Sequence, residues 1–161
     1  MNVFDFALKM ELDGKAYYEK LAAETTLTGL KTIFGRLAAD EQKHFDTIKA
    51  MEAGAAGAMA DTGVLEEAKN VFQGLMGDKD ILGGLKKQLD AYRYAMKIEA
   101  DSVRLYEDMA KREKTAGTAQ LLLKIAEEEK KHYNIMENLY DFVLAPQNYL
   151  AWGEFSNLKE F

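Results

Sequence analysis

The chain contains two histidines, and each follows a glutamate by three positions. The two Glu-x-x-His motifs are formed by Glu41 with His44 and by Glu129 with His132. Residues three apart on a helix share a face, so each motif would present one carboxylate and one imidazole side by side. Carboxylate and imidazole groups without any thiolate suit iron, manganese or zinc. The motifs therefore predict a metal site.

Two further glutamates, Glu11 and Glu99, lie at positions where the helical periodicity predicts an apolar side chain. Glu11 lies 30 residues before Glu41, Glu99 lies 30 residues before Glu129, and the midpoint of each pair falls in a short polar segment. If that segment is the turn of a helical hairpin, the two glutamates of a pair lie at one height, roughly 20 Å from the turn. Four buried carboxylates at one level would repel one another, so the sequence calls for a cation among them.

The number of candidate ligands indicates two ions rather than one. A structural zinc site normally has four ligands, whereas six ligands from two related halves suit a pair of ions. Four ionised glutamates carry four negative charges, which two divalent ions would neutralise. This charge balance favours a centre that can change its oxidation level.

The candidate ligands belong to an internal repeat. A shift of 88 residues superimposes residues 5–52 on residues 93–140 without a gap. The shift pairs the candidate ligands of the two halves, which match as Glu11 with Glu99, Glu41 with Glu129 and His44 with His132. Each half has two amphipathic stretches around a polar turn, at residues 25–29 and 113–117. Two helical hairpins, and thus four long helices, are predicted.

The predicted fold is an all-α four-helix bundle that forms a single domain over residues 1–161. Hairpin one is expected at about residues 3–52 and hairpin two at about residues 84–145. The crossover, residues 53–83, is long enough to run the length of the bundle, and a short helix is expected within it near Val64–Met76. Residues 146–161 carry spaced apolar side chains and are expected to form a short helical tail that covers the bundle.

Composition excludes several other functions. The net charge of −6 and the pI near 5.1 argue against nucleic acid as a partner, since phosphate binding needs a basic surface. The absence of cysteine excludes disulfides, thiolate zinc sites and cysteine nucleophiles within these residues. No apolar run is long enough to span a membrane, and the first residues lack a signal-peptide pattern, so a cytoplasmic protein is expected.

The ligand pattern resembles that of a known superfamily. One glutamate on each of two helices, with Glu-x-x-His on each of the other two, is the pattern of ferritin-like di-iron proteins. Within that group the chain resembles the helical domain of the rubrerythrins, from about Ala7 to Leu144. The resemblance is clearest in residues 7–20 and 40–45.

The resemblance implies a di-iron oxidoreductase that reduces hydrogen peroxide or dioxygen. It implies six iron ligands, namely Glu11, Glu41, His44, Glu99, Glu129 and His132. It also implies that Tyr18 and Tyr106 hydrogen-bond to ligand carboxylates, and that the protein forms a homodimer. Manganese or zinc could substitute for the two irons.

The sequence departs from the rubrerythrin pattern in two ways. Rubrerythrins usually carry a rubredoxin-like iron domain with four cysteines, so electrons are expected from an external donor such as a rubredoxin-type protein. They also carry an extra carboxylate three residues after the third-helix ligand, where this chain has Ser102, the repeat counterpart of Gly14. Two alternatives follow: a ferroxidase or iron-handling protein, and a helical interaction protein whose metal is structural or absent.

Overall fold

The computed structural model describes residues 2–55, 57–75 and 81–145. Within these ranges the chain forms helices and no strand. The helices are α1 (Val3–Glu24), α2 (Thr28–Glu52), α3 (Val64–Leu75), α4 (Leu82–Lys86), α5 (Leu89–Arg112) and α6 (Ala116–Leu144). The prediction of an all-α fold is confirmed.

The four long helices form two hairpins, α1 with α2 and α5 with α6. Each pair packs along its length, and these two contacts are by far the most extensive between helices in the described part of the chain. The turns between the helices are residues 25–27 and 113–115. At the start of α1 the Asn2 side chain accepts a hydrogen bond from the Asp5 N–H at 2.8 Å, which satisfies one of the free donors of the first turn.

The crossover carries the amphipathic helix α3, which packs against α2 and α6. Its buried residues, Val64, Ala68 and Phe72, recur every fourth position and so lie on one face. The helix ends at Leu75, and Met76, the predicted end, lies outside the described residues. The predicted C-terminal tail, residues 146–161, also lies outside them.

One short helix, α4, was not predicted. It precedes α5 and buries Leu85 against the core. Gly83 and Gly84 lie inside it, and glycine is among the poorest helix formers, so local sequence does not indicate a helix here.

The apolar core of the described residues forms two clusters. On α1, Leu8 belongs to one cluster and Tyr18 to the other; on α2, Leu37 and Ile48 are divided in the same way. The level between the clusters holds the candidate ligands, which are therefore shielded from water above and below. None of the described helices is both long and apolar enough to cross a membrane.

Candidate metal centre

The four long helices bring all six predicted ligands to one buried level. None of these six residues, taken whole, is more than 2% exposed. The His44 Nδ1 atom lies 3.1 Å from Glu129 Oε1 and 3.4 Å from Glu11 Oε2. The His132 Nδ1 atom lies 2.9 Å from Glu99 Oε2, 3.2 Å from Glu41 Oε1 and 3.4 Å from Glu129 Oε1. Both imidazoles thus direct Nδ1 into the carboxylates.

The six side chains form two overlapping groups of four. One atom from each of Glu11, Glu41, His44 and Glu129 lies within 4.8 Å of the others, and the same holds for Glu41, Glu99, Glu129 and His132. Glu41 and Glu129 belong to both groups. This arrangement could hold two neighbouring cations. Each cation would have one carboxylate and one imidazole of its own, and both cations would share Glu41 and Glu129.

Unpaired polar atoms at the centre of the cluster fit a cation. Six buried atoms here have no hydrogen-bond partner, namely Glu11 Oε2, Glu41 Oε1, His44 Nδ1, Glu99 Oε1, Glu129 Oε1 and Glu129 Oε2. Buried polar atoms in folded proteins are nearly always hydrogen-bonded, and leaving one without a partner costs about 1–3 kcal/mol. Five carboxylate oxygens and one imidazole nitrogen, buried together without hydrogen-bond partners, are explained by positive charge placed between them.

The far nitrogen of each histidine is held by an acidic residue of the other hairpin. His44 Nε2 lies 2.8 Å from Glu128 Oε1, and His132 Nε2 lies 2.9 Å from Asp40 Oδ2. A proton on Nε2 that is donated to a carboxylate leaves Nδ1 free to accept a cation and fixes the ring orientation. Sequence reasoning missed both acids. The available signal was their place directly before each motif glutamate, at positions that match under the 88-residue shift.

Asp40 and Glu128 each have a further polar partner besides the histidine. The Thr62 hydroxyl donates to Asp40 at 2.6 Å, and Lys43 Nζ lies 2.9 Å from Glu128 Oε1. Burial opposes ionisation of both acids, but the hydrogen bonds to the histidines outweigh it and lower the pKa of Asp40 and of Glu128. Both therefore stay ionised and able to accept the imidazole proton.

The two tyrosines lie beside ligand carboxylates, each across the gap between hairpins. The Tyr18 hydroxyl donates to Glu99 Oε2 at 2.6 Å, and the Tyr106 hydroxyl donates to Glu11 Oε1 at 2.6 Å. Burial, followed by the neighbouring carboxylate, raises the pKa of each tyrosine well above its usual value. Both hydroxyls therefore remain protonated donors that orient Glu11 and Glu99.

The carboxylates of the metal-free cluster take up protons. Burial, and next the charge of Glu41, raises the pKa of Glu11 to about 7 and that of Glu129 well above its usual range. Glu41 is the exception, because the two neighbouring histidines favour its ionised form, outweigh its burial and lower its pKa. Protons on these carboxylates reduce the repulsion that cations would otherwise cancel.

The two imidazoles also take up protons in the metal-free cluster. Burial would lower the pKa of each histidine, but Glu11 beside His44 and Glu99 beside His132 raise both values well above normal. Protons thus occupy the place that cations would take, and the two compete for the same atoms.

Ser102 does not hydrogen-bond to any of the six side chains. It is buried, and its hydroxyl donates to the Ile98 carbonyl at 3.0 Å and lies 3.4 Å from Met10 Sδ. Bonding to the carbonyl four residues back is common for serine in helices. The hydroxyl is thus directed to backbone and sulfur instead of a carboxylate.

Comparison with known families agrees with this geometry. The family model described as Rubrerythrin matches residues 2–140, which include all six candidate ligands and both tyrosines. Neither a curated protein nor a solved structure gives a match. The match extends over most of the chain, and with it the predicted ferritin-like helical bundle is confirmed. The chain belongs to the rubrerythrin family.

Proposed function

We propose that this protein is a non-haem di-iron oxidoreductase that reduces hydrogen peroxide or dioxygen with electrons from an external donor. The observation that carries the proposal is the pair of overlapping ligand groups that share Glu41 and Glu129. Carboxylate and imidazole ligands suit iron, and manganese or zinc could replace it. Membership of the rubrerythrin family supports the same assignment.

Each ion would have its own pair of ligands. Glu11 with His44 would hold one ion, Glu99 with His132 would hold the other, and Glu41 and Glu129 would contribute to both. When bound, the two irons would supply the paired one-electron changes that reduction of an oxidant requires.

The protein's own groups prepare the site for this chemistry. Tyr18 and Tyr106 hold one oxygen each of Glu99 and Glu11, and the second oxygen of each carboxylate is buried without a hydrogen-bond partner. Asp40 and Glu128 fix the imidazole rings. The apolar clusters on both sides exclude bulk water, which strengthens every charge interaction at this level.

The orientation of the histidines by acids of the opposite hairpin can be tested directly. We expect Asp40→Asn and Glu128→Gln each to weaken metal binding roughly 10–100-fold while two ions still bind at saturation, because outer partners tune ligands without replacing them. Metal titration measures both quantities. Asp46→Asn, an exposed change on the same helix, is the matched control. If both variants bound metal as tightly as the wild-type protein, these two acids would not orient the histidines for metal binding.

Electrons should come from a redox centre outside these residues, because 161 residues without cysteine cannot form a thiolate iron site. Reduction of one peroxide to two waters consumes two electrons and two protons. Two Fe(II) ions would supply the electrons, so the Fe(II)-loaded protein should be oxidised once and then stop. Adding a rubredoxin-type protein with its reductase should restore continuous peroxide consumption. The same donor with metal-free protein is the control. Continuous consumption without any donor would contradict the proposal.

A second function, ferroxidase oxidation of Fe(II), is favoured by one observation. Ser102 stands where rubrerythrins usually carry an extra carboxylate, and this leaves a symmetric set of six ligands. Growth of an iron mineral after repeated additions of Fe(II) and dioxygen would select it over peroxide reduction. The cytoplasmic location and the homodimer stay predictions, which cell fractionation and analytical ultracentrifugation would test.

A further inference from the structure

Helices α1 and α5, which supply Glu11 and Glu99, do not close tightly over the site. They contact each other far less than either contacts its own hairpin partner. Between them lies a surface groove of about 460 Å³. The lining includes Met10 and Ile98, each directly before one of these glutamates in the sequence, and these two positions correspond under the repeat.

Gly14 connects this groove with the candidate ligands. It lines the groove, and a Cβ atom at this position would lie 2.7 Å from Glu41 Oε2. Glycine inside a helix is destabilising relative to alanine, so the position needs a reason beyond helix stability. The carboxylate lies directly behind the helix backbone where the side chain is missing.

Exposure of the ligands agrees with an opening at this point. The Glu41 side chain retains 3% exposure, compared with 0% for Glu11, 0% for Glu129 and 1% for Glu99. The least enclosed of the four carboxylates is thus the one that lies behind Gly14.

The chemistry of the groove suits a small uncharged molecule. Its charged residues form two ion pairs, Lys9 with Asp13 at 2.7 Å and Lys97 with Asp101 at 2.9 Å, so their charges cancel. The rest of the lining is mainly apolar. A cation or an anion would find no net attraction, whereas hydrogen peroxide or dioxygen would meet no electrostatic barrier.

We propose that the groove between α1 and α5 is the route by which a small uncharged oxidant reaches the carboxylate–histidine cluster, passing Gly14 beside Glu41. The identity of the oxidant rests on the function proposed above, whereas the route itself rests on the groove. Access and metal binding can therefore be measured separately.

The first test varies the width of the groove at Ile98 and follows nitric oxide, a small uncharged probe, as it binds to the Fe(II)-loaded protein. Ile98→Trp should slow its association roughly tenfold or more, since binding then requires the wall to move. Ile98→Ala should leave it as fast or faster. Leu123→Trp, at an exposed position on α6, is the matched control. Metal content should be unchanged in all three variants.

The second test closes the floor of the groove. Gly14→Ala should slow nitric oxide association relative to Gly35→Ala, a helical glycine whose added Cβ would meet nothing within 4 Å. If Ile98→Trp and Gly14→Ala both bind nitric oxide as fast as their controls, the route is wrong.

A third measurement needs no metal and separates the route from the proposed function. Crystals of the metal-free protein under xenon pressure should contain xenon in the groove next to Gly14, and crystals of Ile98→Trp should not. Failure of the wild-type protein to bind iron would contradict the proposed function alone. Absence of xenon from the wild-type groove would overturn the route even if two irons bind.

Discussion

Replacing Glu129 by alanine should weaken the binding of both metal ions, whereas replacing Glu11 by alanine should weaken only one. Glu129 belongs to both ligand groups, and Glu11 belongs to one. Partners that only support ligands are worth roughly 10–100-fold in affinity, so loss of a ligand should cost at least as much at each ion that it contacts. Equilibrium dialysis with elemental analysis gives the number of ions retained by each variant.

The same logic applies to the repeat counterparts of these two residues: Glu41→Ala should behave like Glu129→Ala, and Glu99→Ala should behave like Glu11→Ala. Glu127→Ala is the control, because this glutamate lies on α6 next to the cluster in sequence but its side chain is 65% exposed. If variants of the shared glutamates and variants of the glutamates that belong to one group lost the same number of ions, the two groups would not hold a pair of ions with common ligands.

The metal-free protein should lose stability as the pH rises from about 5.5 to about 8. Glu11 has a pKa of about 7 in the folded chain and a usual value of 4.5, so the folded state binds the extra proton between these values. Stability from a raised pKa is present at low pH and is lost as the pH rises through the folded value, by roughly 1.4 kcal/mol per pH unit per proton.

The histidines act in the same direction over a higher range. The pKa values of His44 and His132 are raised by their carboxylate neighbours despite burial. Their contribution to stability is therefore complete below the usual value of 6.5 and is lost as the pH rises from there towards the raised values. The lowered pKa values of Asp40 and Glu41 act in the opposite direction, but only below the usual values of 3.8 and 4.5. They therefore do not offset the trend above about pH 5.5.

Metal should reverse this dependence, because the ligands must lose protons before they bind. The stabilisation that metal adds should thus increase with pH over the range in which the metal-free protein weakens. Chemical unfolding at several pH values, with metal and with chelator, gives the free energy of unfolding of the loaded and the metal-free protein as a function of pH. Glu11→Gln should flatten the metal-free curve near pH 7. Parallel curves with and without metal would contradict the competition between protons and cations.

The sequence was sufficient to predict which six side chains come together, because the repeat presents each type of position twice. A glutamate such as Glu99 in an apolar stripe is conspicuous, and its match with Glu11 places both at one level. The two-hairpin layout followed from the same 88-residue shift, and the helices on either side of each turn are those that the periodicity indicated.

Other features could not be predicted from the sequence because they depend on how the two hairpins pack together. Asp40 has the spacing of an ordinary surface acid, and only the approach of α6 brings His132 within 2.9 Å of it. By sequence alone Gly14 is only a poor helix former, and the position of Glu41 beside it gives the reason for a glycine there. Helix α4 forms in spite of two glycines because Leu85 packs against the core.

Titration of the metal-free protein with Fe(II) under anaerobic conditions decides whether the six clustered side chains hold a pair of metal ions. We expect saturation at two ions per chain, release of protons as the ions bind and a higher melting temperature for the loaded protein. A chain that binds no iron tightly, and whose melting temperature is the same with and without the metal, would contradict this expectation.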